Sequence, residues 1–144
     1  MTAFSLKRIL VAVDFSSCSE AAFAFAQALA EPTGASLDVL HVVQTAEGPF
    51  RESAGADALA AARGEMQRFM LRNRPKSALT IQDHIAVGDP REQIVSTAER
   101  QGFDLIVMGT HGRTGRPRML AGSVAESVVR TSARPVVTVR EPLR

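Results

Sequence analysis

Ile9-Leu10-Val11-Ala12-Val13 is a run of apolar residues that stops abruptly at Asp14. A strand with one wet face alternates apolar and polar positions. A run that is apolar throughout belongs to a strand covered on both faces, the usual condition of a parallel sheet. Leu105-Ile106-Val107-Met108, entered through Asp104, repeats the pattern, and Leu37–Val43 and Pro135-Val136-Val137-Thr138-Val139 are further short runs. Leu79–Val87 shows alternation through Leu79, Ile81, Asp83 and Ile85 and reads as one more strand. Parallel strands need crossover connections, so the segments between these runs should be helices.

The punctuation agrees. Ser17 and Glu20 have capping-box spacing and open an alanine- and phenylalanine-rich helix to Ala30, closed by Pro32 and Gly34. Gln44–Gly55 reads as a loop, followed by a helix from about Ala56 to Arg72. Gly88-Asp89-Pro90 is a helix entry with Asp89 as N-cap, Pro90 at the first position and Glu92 completing a capping box. That helix should end near Arg100, with Gly102 as its stop. A last helix is expected from Ser123 to Thr131. The order is βαβαβαβαβ, which predicts one doubly wound α/β domain over residues 1–144, a five-stranded parallel sheet with helices on both faces.

Such sheets bind ligands beyond the carboxyl ends of their strands, where the strand order reverses. The loops that begin at Asp14 and at Gly109 are the chemically unusual ones, and they share a crevice if the first and fourth strands are neighbours. Composition narrows the ligand class. A net charge of +2 lacks the field of a dedicated nucleic-acid-binding module. The single cysteine, Cys18, rules out an internal disulfide and a cysteine-cluster metal site. No apolar run approaches the roughly 18–20 residues that span a bilayer, and Met1–Arg8 does not read as a signal segment, so a cytoplasmic location is the expectation.

Gly109-Thr110-His111-Gly112-Arg113-Thr114-Gly115 sets three glycines at intervals of three directly after a buried strand, and Gly122-Ser123 follows at a helix start. Glycine permits close backbone approach and positive φ, and the free N–H groups of such a loop and of a helix first turn form a concave anion site. The loop is neither a Walker A sequence, since no Gly-Lys-Ser/Thr is present, nor the dinucleotide fingerprint, whose spacing differs. An ordinary flexible loop, with Ser123 and Glu126 as a plain capping box, is the competing explanation.

Asp14 ends a buried strand and reads as a hydrogen-bond acceptor for a ligand in preference to a helix cap, because Ser17 already supplies one. His111 has no carboxylate or nucleophile nearby in sequence, which favours backbone contact over acid–base work. His41 and His84 fall in strands and read as structural, and three scattered histidines give no metal signal. Arg113, Arg116 and Arg118 either neutralise phosphates or solvate an exposed loop. Cys18 reads as a packing residue and Phe23-Ala24-Phe25-Ala26 as helix core. Pro135–Val139, the last strand, is unusually apolar for a sheet edge, and pairing across a two-fold axis would cover it.

Gly109-x-x-Gly112, nine residues and then Gly122-Ser123 resembles the ATP-binding signature of the universal stress protein family. The likeness extends over nearly the whole chain, through Arg8–Asp14, Leu40–Val43, Val87–Pro90, Asp104–Gly109, Gly122–Glu126 and Arg134–Val139. It implies strand order 3-2-1-4-5 and a homodimer formed through the last strand. It also implies adenine and ribose near Ala12, Val13, Asp14 and the backbone of Val42. The phosphates then lie against Met108, Gly109, His111 and Gly112 and against Gly122, Ser123, Val124 and Ala125. Magnesium has a route in with ATP, bridging phosphates near Asp14. Arg116 and Pro117 stand where many relatives carry a bulkier apolar residue, which implies altered loop packing.

The function expected is an ATP-binding stress or regulatory protein that acts through nucleotide-dependent conformation or partner binding, with AMP or ADP as alternative ligands. A slow ATPase or nucleotidyl-transfer enzyme in the same crevice is the competing class; it needs a transfer motif such as a histidine pair, which the sequence lacks. A phospho-receiver domain needs an acidic pair after the first strand and a lysine after the fifth. Asp14 stands alone there and no lysine follows Val139.

Overall fold

The computed structural model describes residues 3–44, 51–110 and 123–141. Its elements run β1 (Arg8–Ala12), α1 (Ser17–Thr33), β2 (Ser36–Val43), α2 (Arg51–Arg72), β3 (Ile81–Val87), α3 (Pro90–Arg100), β4 (Leu105–Gly109), α4 (Val124–Thr131) and β5 (Val136–Val139). The strands form one sheet in the order β3-β2-β1-β4-β5, with all four pairings parallel. The doubly wound fold and its strand order are as expected, and β1 and β4 are neighbours, Ile9 facing Leu105 and Ala12 facing Met108.

The uninterrupted apolar strands work as predicted. Ile9, Val11 and Val13 enter one core with Ala22, Phe23 and Ala26 of α1 and Met66 and Phe69 of α2. Leu10 and Ala12 enter a second core on the opposite face with Ile94 and Ala98 of α3 and Ala125 and Val128 of α4. Each large apolar side chain so buried contributes about 1.5–3 kcal/mol relative to exposure. Asp104 fastens the lower end of the sheet: its Oδ2 accepts from the backbone N–H groups of Lys7 and Arg8, at 2.9 and 3.0 Å.

Several boundaries differ from the sequence reading. The first helix continues past Ala30 through Pro32 to Thr33, because a proline in the last turn removes only one backbone donor. Its stop is Gly34, left-handed at φ 72°, whose N–H donates to Ala30 O. The second helix begins at Arg51 and not near Ala56. Ala56, Asp57 and Ala60 are exposed, so this end of the helix has little core-facing periodicity to betray it. The third strand starts at Ile81, two residues after Leu79. The phenylalanine stripe divides: Phe23 is fully buried, whereas Phe25 is exposed, since helical positions two apart point about 200° apart, to opposite sides of the helix. The last two helix entries are as expected, Asp89 accepting from Arg91 N–H and Ser123 accepting from Glu126 N–H. Among the described residues no helix is long and apolar enough to cross a membrane.

Candidate functional site

At the carboxyl ends of β1, β2 and β4 the sheet opens into a cleft of about 680 Å³. Sheet residues form its floor: Ala12 and Val13 from β1 and its extension, Leu40 to Val43 from β2, and Met108 to Thr110 at the end of β4. Pro90, Arg91 and Ile94 of α3 and Ser123, Val124 and Ala125 at the start of α4 form one wall. Ala58, Ala61, Ala62 and Glu65 of α2 form another. The volume falls in the usual range for small-molecule sites.

Of the residues singled out from sequence, Ala12, Val13, Asp14, Val42, Met108, Gly109, Ser123, Val124 and Ala125 all line this one cleft. His111, Gly112 and Gly122, with Arg113, Arg116, Pro117 and Arg118, lie outside the described residues.

The turn after β1 is tightly built. Val13 N–H still donates to Leu40 O at 2.9 Å, prolonging the sheet by one bond. Phe15 then takes φ 66°, a left-handed conformation that is costly for a bulky residue. Its ring packs at a 33° tilt against His41, centroids 4.2 Å apart, and against Phe69 at 5.7 Å. His41 Nδ1–H donates to Val13 O at 2.8 Å, because a carbonyl only accepts. His41 is thus structural, as expected, yet it also lines the cleft.

The turn corrects the expectations that Ser17 caps the helix and that Asp14 takes no part in the helix start. The helix cap is Ser16 and not Ser17: Ser16 is extended at φ −77°, ψ 165°, and its Oγ accepts from Ser19 N–H. Ser17 is already helical and exposed, and Glu20 pairs with Arg72 of α2 at 3.2 Å instead of closing a capping box. Asp14 is bound into the same turn. Its Oδ1 accepts from Ser16 N–H at 3.1 Å and from the Ser19 hydroxyl at 2.7 Å, while its own N–H donates to Ser19 Oγ at 2.9 Å. The carboxylate therefore serves the helix start and lines the cleft at once.

Gly109 corrects another expectation. It closes β4, and its φ lies outside the left-handed region. Conformational freedom is not what selects glycine there. A Cβ at this position would lie 2.8 Å from Cys18 Sγ and 3.1 Å from both the Cβ and the carbonyl carbon of Cys18. Close approach of α1 to the end of β4 demands the missing side chain.

Thr110, Arg91 and the α2 residues were missed by sequence reasoning. Arg91 had a usable signal: Asp89-Pro90 places a helix start directly at the carboxyl end of β3, the end at which ligands bind. Ala58 to Glu65 carried none, because nothing in a helical repeat says which strand ends it overhangs. Electrostatically the cleft combines Asp14 and Glu65 with Arg91 and the N-terminal ends of α3 and α4, whose N–H groups carry partial positive charge. Among the described residues no group of three or more His, Cys, Asp or Glu is placed to hold a metal ion.

The same architecture occurs in solved proteins. The chain is 31% identical to universal stress protein MJ0577 of Methanocaldococcus jannaschii over 93% of its own length and 94% of the relative's. The MJ0577 structure resembles it with a TM-score of 0.83, covering 96% of this chain and 98% of that one. Universal stress protein UspA from Lactobacillus plantarum matches with a TM-score of 0.83 at 28% identity, over 94% of this chain and 99% of that one. A universal stress protein solved in complex with cAMP shares the fold at a TM-score of 0.76 and 24% identity, covering 94% of this chain and 97% of the other. Residues 5–140 match the universal stress protein family as a whole, and with sheet order, cleft and sequence in agreement the chain belongs to that family.

Proposed function

We propose that this protein binds an adenine nucleotide, ATP first among them, and acts as a regulatory switch and not as a fast enzyme. Adenine and ribose lie over Ala12, Val13, Asp14 and Val42. The phosphates run from Met108, Gly109, His111 and Gly112 to Gly122, Ser123, Val124 and Ala125. The observation that carries this reading is the convergence in one cleft of the strand ends of β1, β2 and β4 with the first turn of α4. Sheet residues supply an apolar floor for a base, and a helix N-terminus supplies N–H groups for an anion. The cAMP complex of a protein with the same fold supports nucleotides as the ligand class.

The same geometry supports slow turnover. Asp14 is tied to Ser16 and Ser19, and His41 to Val13 O. Neither stands ready as the general base that rapid hydrolysis requires. Magnesium, on this reading, enters with the phosphates.

The test is direct identification, by mass spectrometry, of small molecules released from freshly purified protein, followed by calorimetric titration with ATP and magnesium. ATP near one per chain is the expected result, and ADP or AMP in its place would favour the hydrolase. Protein that carries nothing and gives no heat with ATP overturns the assignment. Asp14→Ala is expected to weaken ATP while sparing inorganic triphosphate.

A further inference from the structure

We propose that the contact between Gly109 and Cys18 is a positioning device for Asp14: the seat of α1 on the end of β4 fixes how far the carboxylate reaches into the cleft. The proposal rests on the nucleotide-binding reading above and assigns the first glycine of the loop a role that does not depend on touching phosphate.

Three observations meet at this contact. A Cβ on Gly109 would come within 2.8 Å of Cys18 Sγ, so helix and strand are as close as a glycine allows. Cys18 is only 3% exposed, and its thiol donates to Val139 O at 3.1 Å. That same carbonyl accepts from Thr110 N–H at 3.0 Å. The thiol thus locks the first turn of α1 to the ends of both β4 and β5. The next residue, Ser19, holds Asp14 by two bonds, Ser19 Oγ to Asp14 Oδ1 at 2.7 Å and Asp14 N–H to Ser19 Oγ at 2.9 Å. Displacing the first turn of α1 therefore moves the donor that orients the carboxylate. Gly109 and Cys18 are positioning residues that act through Ser19.

Affinities for ATP and for inorganic triphosphate, measured by calorimetry on the full chain, separate this from a direct role of Gly109. Gly109→Ala is expected to weaken ATP about tenfold, the scale of one lost hydrogen bond to a charged group. Triphosphate, which lacks the adenosine half that Asp14 serves and meets position 109 only through a backbone N–H that alanine keeps, should lose no more than about twofold. Cys18→Val crowds the same contact from the helix side and should give the same split, although Cys18 is not among the residues lining the cleft. The double variant Cys18→Ala/Gly109→Ala removes the sulfur and should regain most of the ATP affinity lost in Gly109→Ala. Equal losses for the two ligands in Gly109→Ala, with Cys18→Val silent, would overturn the proposal and leave Gly109 a phosphate contact alone. Should Gly109→Ala not fold, Cys18→Val alone decides by the same split. An unmodified chain that binds neither ligand refutes the nucleotide reading itself, and the positioning role with it, before any variant is compared.

Discussion

Ser16 shows how much a single hydroxyl settles at the residue scale. It is extended where Ser17 is helical, and its Oγ takes the N–H of Ser19, one of the donors that a helix start otherwise leaves unpaired. Ser16→Ala is expected to cost about 1 kcal/mol of stability, the usual price of a lost N-cap. Ser17→Ala, at an exposed helical position, should change stability by less than about 0.5 kcal/mol. Urea denaturation of the pair checks the assignment, and the reverse order of the two effects would refute it. Sequence spacing pointed to Ser17 because Glu20 lies three residues on. The left-handed Phe15 decides otherwise, since it brings the chain into helix one residue earlier than the spacing suggests.

At the scale of elements, the pairing of β2 with β3 contains a charge that local patterning hides. Asp38 lies between Leu37 and Val39 in β2 and is 5% exposed. His84, on β3, donates from Nε2 to Asp38 Oδ2 at 2.7 Å. A buried carboxylate is tolerable only while it keeps such a partner. His84→Ala is expected to destabilise the fold by about 1–3 kcal/mol, the cost of leaving one buried polar group unsatisfied. Asp38→Asn, which removes the charge and keeps an acceptor for the imidazole, should cost less. Chemical denaturation of both variants tests the order, and a silent His84→Ala would show that Asp38 finds water.

The whole molecule ends in an edge. β5 pairs with β4 on one side, through bonds such as Ile106 N–H to Pro135 O and Thr110 N–H to Val139 O. Strand alternation then turns the backbone groups of Val136 and Thr138 toward the free side. An edge of this kind recruits another chain unless it is blunted. Phe25, on α1, and Val129, on α4, are exposed on the helices that pack against β5 from its two faces. The proposed homodimer pairs β5 with its symmetry mate. Thr138→Pro removes an outward donor while leaving the bonds to β4, so it should convert a dimer into a folded monomer. Light scattering at micromolar concentration reads this out; a monomeric unmodified protein, or a variant that stays dimeric, counts against pairing through β5.

The sequence by itself determined the element order, the parallel sheet and the entries to α3 and α4. These follow from apolar runs, caps and turn residues that act over a few positions, and local chemistry is what a linear reading can weigh. It also marked the loops at Asp14 and Gly109, because strand ends are visible where apolar runs stop, and the family resemblance added Ala12, Val13, Val42 and Met108 to the floor of the cleft. Tertiary structure alone decided why position 109 must be glycine, which helices wall the cleft and which histidine hydrogen-bonds Asp38. Each of those depends on residues distant in the chain meeting through strand order and helix docking. Cys18 and Gly109 illustrate the reason: one opens a helix and the other closes a strand. Neither carries a local signal of the other, and only the packing of α1 on β4 makes them neighbours.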